Sequence, residues 1–341
     1  MLIFGCSFIS VAQLTHEINP DLLTKIWPAL WIKHPATNDQ YGVYHFRKSF
    51  ELGNVPGKFI IHISADNRYW LYVNGKRICT GPAKGDLGHW RFESLDIASY
   101  LQKGKNVLAV TVYNPGDYRA TWQVTGGTGL VVQGNTATEA LVNTDTSWKV
   151  MENTAYSPLF EIHKFVGARE SFLAARYPFN WEKPDADEKL FTQAVFSEEA
   201  IPSGVHGTYP RRLIQRNIPL PEETPQRFGV VRKMENLPIS DGFIKGKGKL
   251  EIQPWGETTI LLDQQYLTTA YPELRFSGGK GAKITITYSE ALFSGYNNNK
   301  GNRNEVEGKE IEGICDVIYP NGDSNIVFRP LFLPYFQVCG T

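Results

Sequence analysis

Three segments between Tyr44 and Val73 alternate in side-chain character with a period of two, and the last of them stops at Asn74-Gly75. They are Tyr44–Phe50, Phe59–Ser64 and Tyr69–Val73. A period of two sends successive side chains to opposite faces, which is the signature of a strand with one face in a core. Asn and Gly both accept positive φ, so the dipeptide closes a two-residue hairpin and predicts antiparallel strands on either side of it. Val107–Tyr113 and Leu130–Gln133 read as further buried strands. On this stretch only Leu95–Leu101, after Ser94 as N-cap, reads as a short helix. Short strands at this spacing predict a β-sandwich. The 43 aromatic residues, 31 Gly and 20 Pro agree, because flat rings pack well on pleated surfaces and Gly and Pro make turns.

From about Ser157 to Glu235 the alternation weakens, and prolines from Pro158 to Pro225 break any long regular element. Phe191–Phe196 reads as one last strand returning to the first sandwich, and Leu220–Arg227 as linker. A second strand series follows: Lys249–Gln253, Thr258–Leu262, Glu273–Phe276, Lys283–Tyr288, Gly313–Tyr319 and Ile326–Phe328, with turns at Gly278-Gly279 and Asn321-Gly322. The expected organisation is all-β: a residual signal segment at 1–19, a first β-sandwich at 20–220 with an extended return segment, a linker at 221–235 and a second β-sandwich at 236–341. The two sandwiches are joined by a Pro-rich irregular connector and share no repeat.

Thirty-five basic side chains balance thirty-five acidic ones, so no net field gathers nucleic acid or anionic lipid. The motifs of nucleophilic, metal and nucleotide enzymes are absent: there is no G-x-S-x-G, H-E-x-x-H or Walker loop. The seven histidines form no pair at ligand spacing, and His45 and His62 fall within strands, where a satisfied structural imidazole is the expectation. The four cysteines, Cys6, Cys79, Cys315 and Cys339, give neither a zinc pattern nor a disulfide framework. The apolar opening Met1–Val11 followed by Ala12 reads as the tail of a secretory segment, which predicts export to the periplasm or cell surface. Ile3-Phe4-Gly5-Cys6 is similar to a lipoprotein box, with Cys6 as the anchor, while a strand-like terminus is the plainer alternative. No run approaches the roughly 18 apolar residues that span a bilayer.

Chemistry is most legible in loops that set acids and amides beside aromatic rings. Sugars are held by a flat ring under their C–H face and by directed acceptors for their hydroxyls. Asp66-Asn67 at a strand corner, Gly81–Trp90 and Asn114–Trp122 supply these groups. The candidate sugar contacts are Asp66, Asn67, Trp90, Asn114 and Trp122. Turn chemistry accounts for the same residues, since Asp and Asn cap loops and Trp staples sandwich edges. Asp66 and Asn67 also offer hard oxygens to calcium, which takes six to eight and would leave positions for two vicinal sugar hydroxyls. The polar run Asn297–Lys309 reads as a solvated hairpin or, functionally, as a surface that abuts another domain's binding cleft.

Several motifs in order resemble the N-terminal region of bacterial α-L-rhamnosidases of glycoside hydrolase family 78. Ala65–Tyr69 running into Leu71–Lys76, then Gly81–Asp86, Trp90, Leu95–Ala98 and Gly104–Val110, are similar to the accessory sandwich of that family. Arg211–Ile214 with Ile218-Pro219 is similar to its connector. Tyr271–Ala282, Tyr288–Leu292 and Lys300–Glu305 are similar to its second sandwich. The resemblance spans roughly residues 28–338. It implies jelly-roll sandwiches, the first galactose-binding-like, a rhamnose-containing glycan as partner and, for some members, rhamnose held through calcium. It also implies an (α/α)6 barrel after the second sandwich that carries the catalytic carboxyls; none is read in this chain, so no catalytic residue is assigned. The expectation is a non-catalytic N-terminal part, with a stand-alone carbohydrate-binding module and a structural module for a separately encoded barrel as alternatives. Phe328–Phe336 is expected to be an exposed apolar patch that such a barrel would cover.

Overall fold

The computed structural model of the protein describes residues 13–38, 40–163, 165–238, 242–294, 300, 302–331 and 335–340. The secretory reading of the first twelve residues, Cys6 included, lies outside them, as do 297–299 and 332–334. Two compact units are formed, one by residues 1–154 with 178–224, the other by 155–177 with 225–341.

In the first unit two sheets share one core. The first sheet runs in the order Gln13–Leu14, Trp90–Asp96, Ile60–Asp66, Gly129–Gly134, Leu30–Lys33, Val195–Glu199, and Leu213–Gln215 adds to Trp90–Asp96 in parallel. The second runs Thr192–Gln193, Lys149–Glu152, Gly42–Leu52, Gly104–Asn114, Arg68–Val73, Lys76–Gly81. Ile32, Ile61, Ile63 and Leu130 of the first meet Phe46, Leu71, Val110 and Val150 of the second in one fully buried cluster. Each such side chain contributes about 1.5–3 kcal/mol by leaving water. The predicted hairpin forms: Val73 pairs with Lys76, and Asn74 and Gly75 take φ of 51° and 82°.

The strand Ile60–Asp66 shows how the outer face is used. Ile61, Ile63 and Ala65 enter the core, and the alternate positions His62, Ser64 and Asp66 face away from it, yet every residue of this strand is buried. A second layer packs Leu22, Trp27, Ala29 and Ala200, from outside the strands, with Trp31, Trp90, Phe92, Val131 and Leu213 of the sheet. The helix predicted at Leu95–Leu101 is not formed. Its first residues complete the strand Trp90–Asp96, held to Ile60–Asp66 by the ladder, and only a 3-10 turn at Ala98–Tyr100 remains.

The second unit is a seven-stranded sheet, Tyr156–His163, Gly167–Leu173, Ile314–Tyr319, Ile284–Ser289, Tyr335–Gly340, Ile260–Thr269, Val230–Met234, with a ribbon of Leu274–Phe276 and Ile326–Phe328. Phe172, Ile286, Tyr288, Ile318 and Phe328 lie in its core. The hairpin 156–173, read from sequence as irregular, belongs to this sheet. A buried charge network fastens it: Asp316 accepts from Arg169 Nη2, from the Tyr288 hydroxyl at 2.8 Å and from the Glu170 amide at 3.1 Å, and Glu170 accepts from the Leu331 amide. Two strand expectations change. Lys249–Gln253 has no regular structure and Ile252 is 54% exposed, whereas Val230–Met234, placed in the linker, is an edge strand. Phe328 and Leu331 are buried, so the described part of 328–336 presents no apolar patch through them.

Candidate functional site

The strand Ile60–Asp66 ends where Arg68–Val73 begins, and this corner carries the polar groups singled out in the sequence. Asp66 is fully buried. Its carboxylate accepts from the Gly126 amide at 2.6 Å, the Thr125 hydroxyl at 2.8 Å and Arg211 Nη1 at 2.9 Å. Burial raises its pKa to about 6, against the lowering pull of Arg211 and these donors. Arg211 also donates to Glu198 Oε1 through Nε at 2.8 Å, and its guanidinium lies 3.7 Å from the Trp31 ring centroid and 5.3 Å from that of Trp90. One cation flanked by two carboxylates and two indoles thus locks the return segment onto the outer face of the sheet.

Asn67 donates to the Val124 carbonyl at 2.6 Å and accepts from the Gln123 amide. Asn114 donates to the hydroxyls of Thr125 and Thr128 and accepts from the Gly116 amide at 2.9 Å. Each of these bonds shapes the loop 115–128. The loop 82–89 is shaped in the same way from the core side. Glu93, buried and with its pKa raised by that burial, accepts from the Ala83 amide at 2.8 Å, from the Tyr69 hydroxyl at 2.7 Å and from Arg216 at 3.1 Å.

Of the five sequence-predicted contacts, Trp122 alone presents a large surface, being 48% exposed. Asp66, Asn67, Trp90 and Asn114 are at most 5% exposed and form the support beneath the loops. The structure therefore brings Asp66, Asn67 and Asn114 together through one loop, with Trp90 reaching Asp66 by way of Arg211. The calcium expectation for Asp66 and Asn67 does not fit this donor set. Both carboxylate oxygens are engaged by donors, one of them a guanidinium, and a cation would have to displace it. Among the described residues no group of three His, Cys, Asp or Glu could hold a metal ion.

Leu87, 38% exposed, and Val124, 39% exposed, lie on the same two loops as Lys84 and Trp122. Lys84 Nζ lies 5.2 Å from the Trp122 ring centroid. Arg68 Nη1 donates to the Pro82 carbonyl at 2.8 Å. Lys84, Arg68 and Arg211 carry no site signal in the sequence beyond their motifs, Lys84 in the Gly-Pro-Ala-Lys-Gly-Asp loop and Arg211 at the start of the Arg-Arg-Leu-Ile connector. A separate cleft of about 440 Å³, lined by Phe179, Trp181, Lys183 and Leu190 among others, contains none of the predicted contacts.

His45 and His62 are structural, as expected from their strands. His62 meets Ser94 Oγ at 2.8 Å and Asn135 Oδ1 at 3.1 Å; His45 meets Thr111 Oγ1 at 3.1 Å and stacks on Trp181 at 3.8 Å between centroids. Cys79 is buried, and that burial pushes its thiol far above the ordinary range. No helix of the described residues is long and apolar enough to cross a membrane.

Fold and site together define a chain of two all-β units, the first a jelly-roll sandwich whose end loops carry an exposed tryptophan on a rigid polar support. Solved structures that match this build over most of the chain include α-L-rhamnosidases. The enzyme from Dictyoglumus thermophilum matches at a TM-score of 0.57 with 18% identity, over 92% of this chain and 34% of its own. The Aspergillus terreus enzyme matches at 0.60 with 16% identity, over 92% and 34%. The Streptomyces avermitilis enzyme, solved in complex with L-rhamnose, matches at 0.57 with 16% identity, over 88% and 27%. The chain thus spans about a third or less of their length, and the resemblance carried by the ordered motifs is reproduced at the level of fold. No protein-family model and no curated protein sequence matches the chain.

Proposed function

We propose that this chain is a non-catalytic module of an α-L-rhamnosidase-like glycoside hydrolase, one that supports the enzyme or binds rhamnose-containing glycans. The observation that carries the reading is the fold match to several α-L-rhamnosidases over 88% to 92% of the chain. Trp122 supplies the stacking face, and Asp66, Asn67, Trp90 and Asn114 act as positioning residues that hold its loop. Inverting hydrolysis of a glycoside needs two carboxyl groups about 6.5–9.5 Å apart with a water between them, and in this reading another domain provides them. An extracellular or periplasmic glycan is the corresponding partner.

Two measurements test this. Purified chain incubated with an aryl α-L-rhamnoside should give no turnover above a boiled control, and clear turnover would overturn the non-catalytic role. Titration of L-rhamnose followed by NMR should show binding near the millimolar range, about −4 kcal/mol. Trp122→Ala should abolish it while changing stability by less than about 0.5 kcal/mol, because a half-exposed ring contributes little to the core. Undiminished binding in that variant removes the loop from the site.

A further inference from the structure

Two cations meet at the loop that faces Trp122. Lys84 places its ammonium over the ring, and Arg68, through its bond to the Pro82 carbonyl, sets its guanidinium under the same loop. The two cations are close enough that Arg68, after burial, is what lowers the Lys84 pKa. Among the described residues neither forms an ion pair. Of the carboxylates on the two loops, Asp86 meets His89 at 3.1 Å and Asp117 meets Arg119 at 3.8 Å. Two neighbouring cations outside any ion pair among the described residues repel each other, an arrangement that is relieved when an anion arrives.

Lys84 lies over the exposed Trp122 ring, so the anion that suits this place has an apolar face as well as a charge. A pyranose bearing a carboxylate has both: C–H bonds to lie on the indole and an acidic group to reach Lys84 and Arg68. Nucleic acid fits less well, since the chain as a whole is neutral and lacks a basic stripe. Resting on the carbohydrate reading of this surface, we infer that the site selects acidic glycans, with a uronic acid residue of the glycan paired to Lys84 and Arg68 beside the Trp122 ring.

The experiment compares a rhamnosyl-galacturonate disaccharide with its methyl ester, which keeps the sugars and removes the charge. At low salt the acid should bind about fivefold tighter than the ester, the scale of one or two solvent-exposed charge contacts. Added salt should erase the preference, because exposed charges are screened. Lys84→Gln, an exposed substitution, should remove most of the preference; Lys84→Glu should reverse it. Lys105→Gln, at the other end of the strand that finishes at Asn114, should keep it. Equal affinity for acid and ester, with both lost in Trp122→Ala, overturns the charge selection and leaves the sugar site standing. A preference that survives Lys84→Gln overturns it as well. Binding of neither compound removes the carbohydrate reading and this inference with it.

Discussion

Replacing Asp66 tests directly whether this corner is a contact surface or a support. Asp66→Ala removes the acceptor for the Gly126 amide, the Thr125 hydroxyl and Arg211 Nη1, at 2.6, 2.8 and 2.9 Å. Taking away one member of a buried ion pair costs about 3–5 kcal/mol, because the remaining charge is left buried and unpaired. Arg211 keeps Glu198, so the lower end, about 3 kcal/mol, is expected above the Asp66 pKa of about 6. Asp66→Asn preserves shape and one acceptor and should cost about 1–2 kcal/mol. Adding Arg211→Met to Asp66→Ala removes the stranded cation, so the double variant should recover part of the loss, a coupling of about 2 kcal/mol. Urea unfolding followed by tryptophan fluorescence reads this unit selectively, since every tryptophan except Trp255 lies in it. If Asp66→Ala loses less than about 1 kcal/mol yet abolishes rhamnose binding, the carboxylate is a ligand contact and the account of it as a support is wrong.

The remaining predictions concern acid and the second unit. Burial holds His45 at about 3 and His62 at about 4, both below the ordinary 6.5, so the unfolded chain takes up protons first and stability falls as the pH drops below 6.5. Between pH 7 and pH 5 each histidine removes about 2 kcal/mol, while Asp66, raised in the folded state, returns about 1 kcal/mol, so these three groups together destabilise the first unit in acid. Unfolding midpoints for the chain and for His62→Gln across this range check it, and a variant with undiminished acid sensitivity counts against the His62 share. In the second unit Asp316→Ala strands Arg169, which is 2% exposed, and should cost about 3–5 kcal/mol and raise amide exchange along Gly167–Leu173; protection unchanged from the parent would refute this role.

Most strands were legible because one face of each had to be apolar. Alternation around Phe46, Ile61, Leu71 and Val110 placed them in the core, and Asn74-Gly75 fixed the hairpin by its backbone freedom alone. The hairpin 156–173 was not legible. It is stabilised by Asp316 and by a parallel pairing with Ile314–Tyr319, both roughly 145 residues away in sequence, and its own Pro158 argued for irregular chain. The apparent helix at Leu95–Leu101 was likewise decided by cross-strand partners, Ile61 and Ile60, which took Leu95 and Asp96 into the ladder.

The sequence by itself determined that this is an all-β chain of two units, and which end of the first sandwich gathers aromatic and polar loops, because period and turn chemistry are local properties. What only the tertiary structure decided is which of those loop residues meets solvent. His62, Ser64 and Asp66 occupy the polar side of an amphipathic strand, which a single sandwich would leave wet, but Arg211 and the return segment arrive to cover it. Asp66 is then committed to an internal cation, and the exposed role passes to Trp122 and Lys84 on loops that the buried polar groups hold in place.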